Sequence, residues 1–436
     1  MSIETLILKN FRNFSNLKLK FNSKLTVLVG VNGSGKTAVL DALALTLNRL
    51  MAGMKQRQAP GGMFKLPASD LRNDADSGTL SYEIKFSNSK LYKHIFKKQI
   101  GDEFYLTLDS DPSWLNFILE LMNLIPDTFK HQVQPIFAYY GAKRSIVSKN
   151  GNVSPADPDY LYKQAFDEAF SPTINFSSSL SWFAGRAADE AIAAVRSKDL
   201  DYVFADLQAV RKAVAGALLG DYSEPFISGT PPRLYVTAQV DGMTLALEQL
   251  SDGYQTMLAL VMDLSRRMAV LNGKSPAIAN NILETPGIVL IDEIELHLHP
   301  SWQQTVLPVL LQTFPNIQFI VTTHSPQILT SIEPQYIRIL RNGQAGRATT
   351  SSYGAQSWRV LEEILNVPSR PMRNKAKISW DEYLSLIEKG EGITKKALKL
   401  RSLLDNWFDG DPALTEADML IERQERLKAK KGKANA

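Results

Sequence analysis

The chain has 436 residues, 44% of them hydrophobic and 22% charged, and it contains no cysteine. That length can bury a substantial core in roughly two to three structural units; the missing thiols exclude disulfides, iron–sulfur clusters and cysteine-ligated zinc, and are compatible with a reducing cytoplasm. With 49 Lys and Arg against 45 Asp and Glu, the net charge of +4 gives no overall drive toward nucleic acid, so any basic surface must be local.

Residues 1–20 alternate apolar and polar positions and carry Glu4, Lys9 and Arg12, so they read as two strands about a turn at 10–13 rather than as a signal peptide. Residues 24–29 are an apolar strand leading into a glycine-rich loop and a helix that starts near Lys36. Residues 51–78, with Pro60, Gly61, Gly62 and Pro67, read as an irregular excursion before strands at 80–86 and 92–98. A short apolar strand at 135–140 precedes 148–158, a segment rich in Ser, Asn, Pro and Asp that marks an insertion boundary. Through 161–219 apolar residues recur at helical spacing, as at Phe183, Ala187, Ala191 and Val195, which predicts several helices without the sustained heptads of a coiled-coil arm.

Strand character returns at 231–247, and 288–291 and 317–322 are almost wholly apolar, as expected of a sheet buried on both faces. The most apolar stretch, 256–271, is interrupted by Asp263, Arg266 and Arg267. It is too short for a bilayer, which takes about twenty apolar residues, so the expectation is a soluble, cytoplasmic protein without a membrane span. Helical pattern resumes at 358–365, 380–387 and 395–408, and a basic helix at 423–433 fades into a Lys, Gly and Ala tail.

Residues Gly30-Val31-Asn32-Gly33-Ser34-Gly35-Lys36-Thr37 fit the P-loop pattern in its required place between a strand and a helix. The glycines let backbone amides face phosphates, Lys36 supplies a point charge at the β and γ phosphates, and Thr37 can hold magnesium. An ordinary glycine-rich turn is the plainer alternative, and the full motif in context outweighs it. ATP with Mg2+ is therefore the expected ligand, cradled by Asn32, Gly33, Ser34, Gly35, Lys36, Thr37 and Ala38. The apolar run 288–291 ends in Asp292 and Glu293, an arrangement in which the first carboxylate orders magnesium and the second polarises water. Ser251-Asp252-Gly253 stands at a helix start, where a hydroxyl and backbone amides can meet an anion; alone it would serve equally well as a plain N-cap.

In this order the three motifs resemble the ABC ATPases of the SMC and RecF type, over residues 1–50 and about 231–340. Leu8-Lys9-Asn10-Phe11-Arg12-Asn13-Phe14 resembles the family's N-terminal signature, which adds Arg12 to the nucleotide-binding residues; Leu250 to Gln255 resembles its signature motif, and His324 in Thr322-Thr323-His324-Ser325 its switch histidine. The resemblance implies an α/β P-loop NTPase of the ABC-head type with a mixed sheet. Residues 1–147 and 229–345 would form the head, 148–228 a helical insertion, and 346–436 a C-terminal helical extension with a basic tail.

It also implies a head-to-tail dimer, in which Ser251 and Gly253 of one copy close on the γ phosphate held by Lys36 of the other. Glu293 and His324 then take the catalytic roles, and Thr37 and Asp292 the metal. Without the resemblance, His324 is simply a polar residue closing a buried strand. His297 and His299 could suggest a metal pair, but they lie just past the acids, where the family has its D-loop, so a dimer-contact loop is the better reading. Asp252 stands where many transporters have glycine and adds a carboxylate near the phosphate site, which predicts slow turnover. A Q-loop glutamine is not evident: 137–144 stands about where one belongs, and Gln134 precedes it.

The short insertion argues against an SMC arm, and no clustered acids of a Toprim nuclease follow the head. What remains resembles the PtuA-type ATPases of Septu and retron-associated anti-phage systems, on 139–144, 250–253, 296–300, Tyr353-Gly354, 361–365 and Arg370-Pro371. That resemblance implies a separately encoded HNH nuclease as partner, with DNA reached through the complex. Two alternatives stand beside it. One is a RecF-like repair clamp that grips DNA through Lys90, Lys93, Lys97 and Lys98 or through 423–433; the other is an ABC sensor that releases a toxin or Toprim effector.

Overall fold

The structure, a computed structural model, describes residues 1–56, 64–66, 68–85, 89–98, 104–108, 133–142, 163–171, 176–230, 232–273, 275, 278, 281–348 and 351–434. They fall into two compact units, Met1–Val360 and Leu361–Ala436.

The first unit opens with the hairpin of β1 (Ser2–Phe11) and β2 (Phe14–Lys20), paired from Thr5↔Lys20 to Phe11↔Phe14. Alternation decides its faces: Phe14, Leu17 and Leu19 are buried while Lys18 and Lys20 are exposed. An antiparallel sheet grows from it in the order β2-β1-β5-β6-β7-β4, with β4 (Phe64–Leu66), β5 (Ser77–Lys85), β6 (Ser89–Lys98) and β7 (Phe104–Leu108).

A second sheet has the order β15-β14-β3-β13-β12-β8, where β3 is Leu25–Val29, β8 Ile136–Tyr140, β12 Gly287–Ile291, β13 Ile317–Thr322, β14 Ile337–Arg341 and β15 Gln344–Arg347. Every pairing in it is parallel except that of the edge strand β15. Every residue of β3, β12 and β13 is buried, which is what their continuous apolar sequence requires. Gln318, a buried amide within β13, joins the two sheets: its Oε1 accepts from Ile3 N–H at 2.7 Å, and its Nε2 donates to the carbonyls of Ile3 and Asn22, each at 2.8 Å.

Helix α1 (Lys36–Gln56) continues past residue 50, where the sequence predicts an irregular excursion, because Met51 and Met54 keep its apolar face in the core. The insertion supplies α2 (Phe176–Ser197) and α3 (Ala205–Ala217), which pack on α4 (Asp252–Asn272). A small antiparallel sheet, β11 (Thr244–Ala246), β10 (Arg233–Thr237) and β9 (Phe226–Ser228), precedes α4.

The charges that interrupt the apolar α4 form a buried cluster. Asp263 accepts from Arg266 at 3.0 Å, Arg267 at 2.8 Å and the Tyr140 hydroxyl at 3.0 Å, and Arg267 also donates to the carbonyls of Ala165 and Asp167. Burial pushes the Asp263 carboxyl up, but Arg267 and Arg266 beside it hold it below the usual carboxylate range. Such a cluster adds little net stability, whereas removing one member strands a charge at a cost of roughly 3–5 kcal/mol.

Helices α5 (Pro300–Thr313) and α6 (Pro326–Thr330) complete the first unit, and α7 (Ser357–Glu363) spans the division. The second unit consists of α8 (Lys375–Glu388), α9 (Lys395–Trp407) and α10 (Pro412–Ala434) around Trp380, Tyr383, Ile387, Ala397, Leu404 and Leu414. Arg370 braces it, lying 4.1 Å from the Phe408 ring centroid and 5.3 Å from that of Trp380 while bonding Asp411 at 2.5 Å. The last helix begins at Pro412, ahead of the basic run predicted for it, because a proline suits a first turn and Leu414 and Ala417 are buried. Among the described residues no helix is long and apolar enough to cross a membrane.

Candidate functional site

Because β3, β13, β12 and β8 run parallel, their carboxyl ends lie along one edge: Leu28 stands opposite Thr322, and Ile291 opposite Val321 and Tyr140. That edge is where open α/β sheets bind ligands. The loops leaving it carry the P-loop, the acidic pair and His324 from positions far apart in the chain.

The P-loop is pressed from behind by the hairpin turn. A Cβ on Gly35, whose φ is +95°, would lie 2.3 Å from Cζ of Phe14, and one on Gly30 would lie 2.4 Å from the Leu340 carbonyl. Asn13 Nδ2 donates to the Gly33 carbonyl at 3.1 Å. Lys36 is buried, at 6% exposure, and its Nζ curls back to donate to the carbonyls of Gly30 at 2.9 Å and Val31 at 3.4 Å. Burial lowers its pKa, and Asp292, Glu293 and Glu295 pull the other way. The Ser34 hydroxyl is buried with no hydrogen-bond partner among the described residues. An orphaned hydroxyl, a lysine that bonds loop carbonyls and the first-turn amides of a helix start together fit a chain of phosphates.

Asp292 is 3% exposed and fully engaged: its N–H donates to the Tyr140 carbonyl at 2.8 Å, Oδ2 accepts from the Thr37 hydroxyl at 3.0 Å, and Oδ1 accepts from the Thr322 hydroxyl at 2.6 Å. The Thr37 and Asp292 oxygens are the hard donors that Mg2+ takes alongside phosphates and water. Glu293 follows with φ at 47°, a left-handed conformation uncommon outside glycine, and its N–H donates to Thr322 Oγ1 at 2.7 Å. Thr322 thus aligns both acids, a role that its place at the end of an apolar strand does not advertise. Thr322→Val should keep the strand but strand the Glu293 N–H, lowering unfolding stability by about 1–3 kcal/mol in a urea titration. A variant as stable as the parent would show that Thr322 does not fix the acids.

Arg12 is held between two carboxylates, Nε on Asp70 Oδ1 at 2.7 Å and Nη1 on Asp41 Oδ2 at 2.6 Å, while the Tyr139 hydroxyl donates to Asp41 at 3.0 Å. Burial lowers the Arg12 pKa, but its bonds to Asp70 and Asp41 outweigh that and raise it. It lines an open groove of about 790 Å³ with Asn13, Ser69, Leu71 and Arg72. His324 is half-buried, and its N–H donates to Glu295 Oε1 at 2.5 Å.

Ser251 caps α4 with an exposed side chain that makes no capping bond, and Gly253 is pressed against the loop past the acids, where an added Cβ would lie 3.1 Å from the His297 carbonyl. Among the described residues neither shares a hydrogen bond or ion pair with the P-loop. His299 Nδ1 lies 2.9 Å from the Ser301 hydroxyl and accepts from Ser301 N–H as the cap of α5, and His297 turns the chain with φ at 65°. Gln134 stands before the amino end of β8, opposite the edge that carries Asp292, where its main chain pairs with the Asn272 side chain at 2.8 and 3.0 Å. It is out of reach as a Q-loop ligand; Gly141 and Ala142 are at the right edge, and Lys143 and Arg144 lie outside the described residues.

A P-loop after a parallel strand, an acidic pair two strands away, a histidine just past the strand between them and an antiparallel sheet built on the N-terminal hairpin define a P-loop NTPase of the ABC-ATPase head type. The chain belongs to the RecF/RecN/SMC N-terminal domain family, whose model matches residues 2–345. It is similar to the Retron Ec83 probable ATPase of Escherichia coli, 29% identical over 96% of this chain and 86% of that protein. The Retron Vc95 probable ATPase of Vibrio cholerae serotype O1 biovar El Tor is 28% identical over 90% of this chain and 84% of that protein. The Septu protein PtuA of Bacillus mycoides (strain KBAB4) is 28% identical over 83% of this chain and 44% of that protein.

Proposed function

We propose that this chain is the ATP-binding and ATP-hydrolysing subunit of a bacterial anti-phage defence assembly, acting as a head-to-tail pair alongside a separately encoded HNH nuclease that cuts DNA. The observation that carries the ATPase reading is the join between Thr37 of the P-loop and Asp292, with Glu293 fixed beside them by Thr322. The defence role is supported by relatives named as retron probable ATPases and as a Septu protein that align over most of this chain.

On binding, Lys36 exchanges the Gly30 and Val31 carbonyls for the β and γ phosphates, and Ser34 gains the acceptor it lacks. Thr37 and Asp292 would hold Mg2+, which when bound would neutralise phosphate charge. Glu293 accepts the proton of the attacking water, and His324 meets the γ phosphate. Ser251, exposed and unused in its own chain, reaches the nucleotide of the second copy with the first-turn amides of α4.

Ser251→Arg should leave ATP affinity within about twofold while blocking the ATP-dependent dimer, as read by light scattering after gel filtration. A variant that still pairs on ATP would defeat the composite site. For the biological role, the tagged protein would be recovered from its native operon with ATP and magnesium. An accompanying HNH protein that cleaves DNA is the expected result; a lone dimer that grips DNA without cutting would replace this reading with the repair clamp.

A further inference from the structure

The loop after Asp292 and the turn that carries His324 are fastened together by side chains outside the P-loop and the acidic pair. Glu295 Oε1 accepts the His324 N–H at 2.5 Å across 29 residues of sequence. Gln303, in the first turns of α5, accepts from the Ser325 hydroxyl at 2.6 Å and donates to the Leu298 carbonyl at 2.9 Å. The Leu298 N–H returns to the Glu295 carbonyl at 3.0 Å, and Ile294 N–H donates to the Thr322 carbonyl at 3.1 Å. A closed ring of hydrogen bonds results, with Gly253 packed against the His297 carbonyl on its outer side.

Two features mark Glu295 as more than a loop residue. A carboxylate on a backbone N–H is a charge-assisted bond, stronger than a neutral one, and it is spent on the residue whose side chain must meet the γ phosphate. Its other oxygen, Oε2, is buried without a hydrogen-bond partner among the described residues. Enclosing a carboxylate oxygen that way is unfavourable, so stability alone does not explain it.

We propose that Glu295, braced by Gln303, is the positioning residue for His324: it fixes the main chain of the switch histidine so that the imidazole is presented to the γ phosphate only while loop 294–299 is seated. This rests on the ATP-hydrolysis reading above and names what sets that histidine. Binding of ATP should therefore be indifferent to Glu295, and turnover should depend on it.

The test uses the full chain with ATP and magnesium. Glu295→Ala should lower kcat by roughly 10- to 100-fold, the scale set by misplacing a reacting group, with KM for ATP and the melting temperature little changed. Glu295→Gln keeps an acceptor oxygen for the His324 N–H and should retain at least about a third of the parent rate, and Gln303→Leu should fall between the two. Because Glu295 acts through His324, adding Glu295→Ala to His324→Ala should cost nothing further. Parental turnover in Glu295→Ala, equal losses in the Ala and Gln variants, lost ATP binding, or additive effects in the double variant would each overturn the proposal. A parent chain without any turnover would overturn the ATPase reading and this one together; an active parent with an indifferent Glu295→Ala overturns this one alone.

Discussion

Lys36→Ala is expected to lower ATP affinity at least about 100-fold, equivalent to roughly 2.7 kcal/mol, when ATP with magnesium is titrated calorimetrically. The lysine is the cation of the P-loop, and a charge-assisted bond to phosphate in a partly desolvated loop carries more than a neutral hydrogen bond. Folding pays to keep it there. Burial lowers its pKa, so the charged form is less favourable in the folded chain than in the unfolded one. The sign is that of a base whose folded pKa lies below its unfolded value: the penalty is full at neutral pH and fades as pH rises past the lowered pKa. Alanine removes that net penalty, which already counts the attraction of Asp292, Glu293 and Glu295, and loses the bonds to the carbonyls of Gly30 and Val31. The melting temperature should therefore stay close to the parent's or rise, and a loss of binding cannot be ascribed to unfolding. Normal ATP affinity in a folded Lys36→Ala would remove the P-loop assignment.

What the sequence displays and what it hides differ by the range of the interaction. The strands at 288–291 and 317–322 are legible because burial on both faces demands continuous apolar residues, and the P-loop because its mechanism needs glycines and a lysine at fixed local spacing. Thr322 is not legible: a threonine ending a strand is ordinary, and its importance lies in reaching Asp292 and Glu293 thirty and twenty-nine positions away. Gln318, which joins the sheets, is masked by the apolar residues around it, and Asp263, Arg266 and Arg267 read as interruptions of a helix although they are its buried anchor. The histidines at 297 and 299 show the reverse hazard, since a pattern that suggests metal ligands resolves into one backbone turn and one helix cap. Arg12, too, is visible as a motif residue, but its two carboxylate partners come from α1 and from Asp70, which no local pattern connects to it.

Glu293→Gln should lower turnover by about 10²–10⁴-fold while leaving ATP bound and the closed pair persistent. The substitution is isosteric, and the residue's position is set by its main chain: φ stands at 47° and the N–H is tied to Thr322, neither of which depends on the carboxylate. What changes is the carboxylate's charge, which Lys36 feels, and its basicity, since an amide cannot take a proton from water at neutral pH. ATP binding relies on Lys36, Ser34 and the loop amides, and magnesium on Thr37 and Asp292, so affinity should move by less than about threefold. The pairing of copies should then become longer-lived, because hydrolysis is the step that would release it. Single-turnover release of phosphate, followed alongside gel filtration with light scattering, separates these effects. Unchanged turnover would mean that another group prepares the water. Slow turnover without a persistent dimer would instead place hydrolysis within a single copy and detach it from the exposed Ser251.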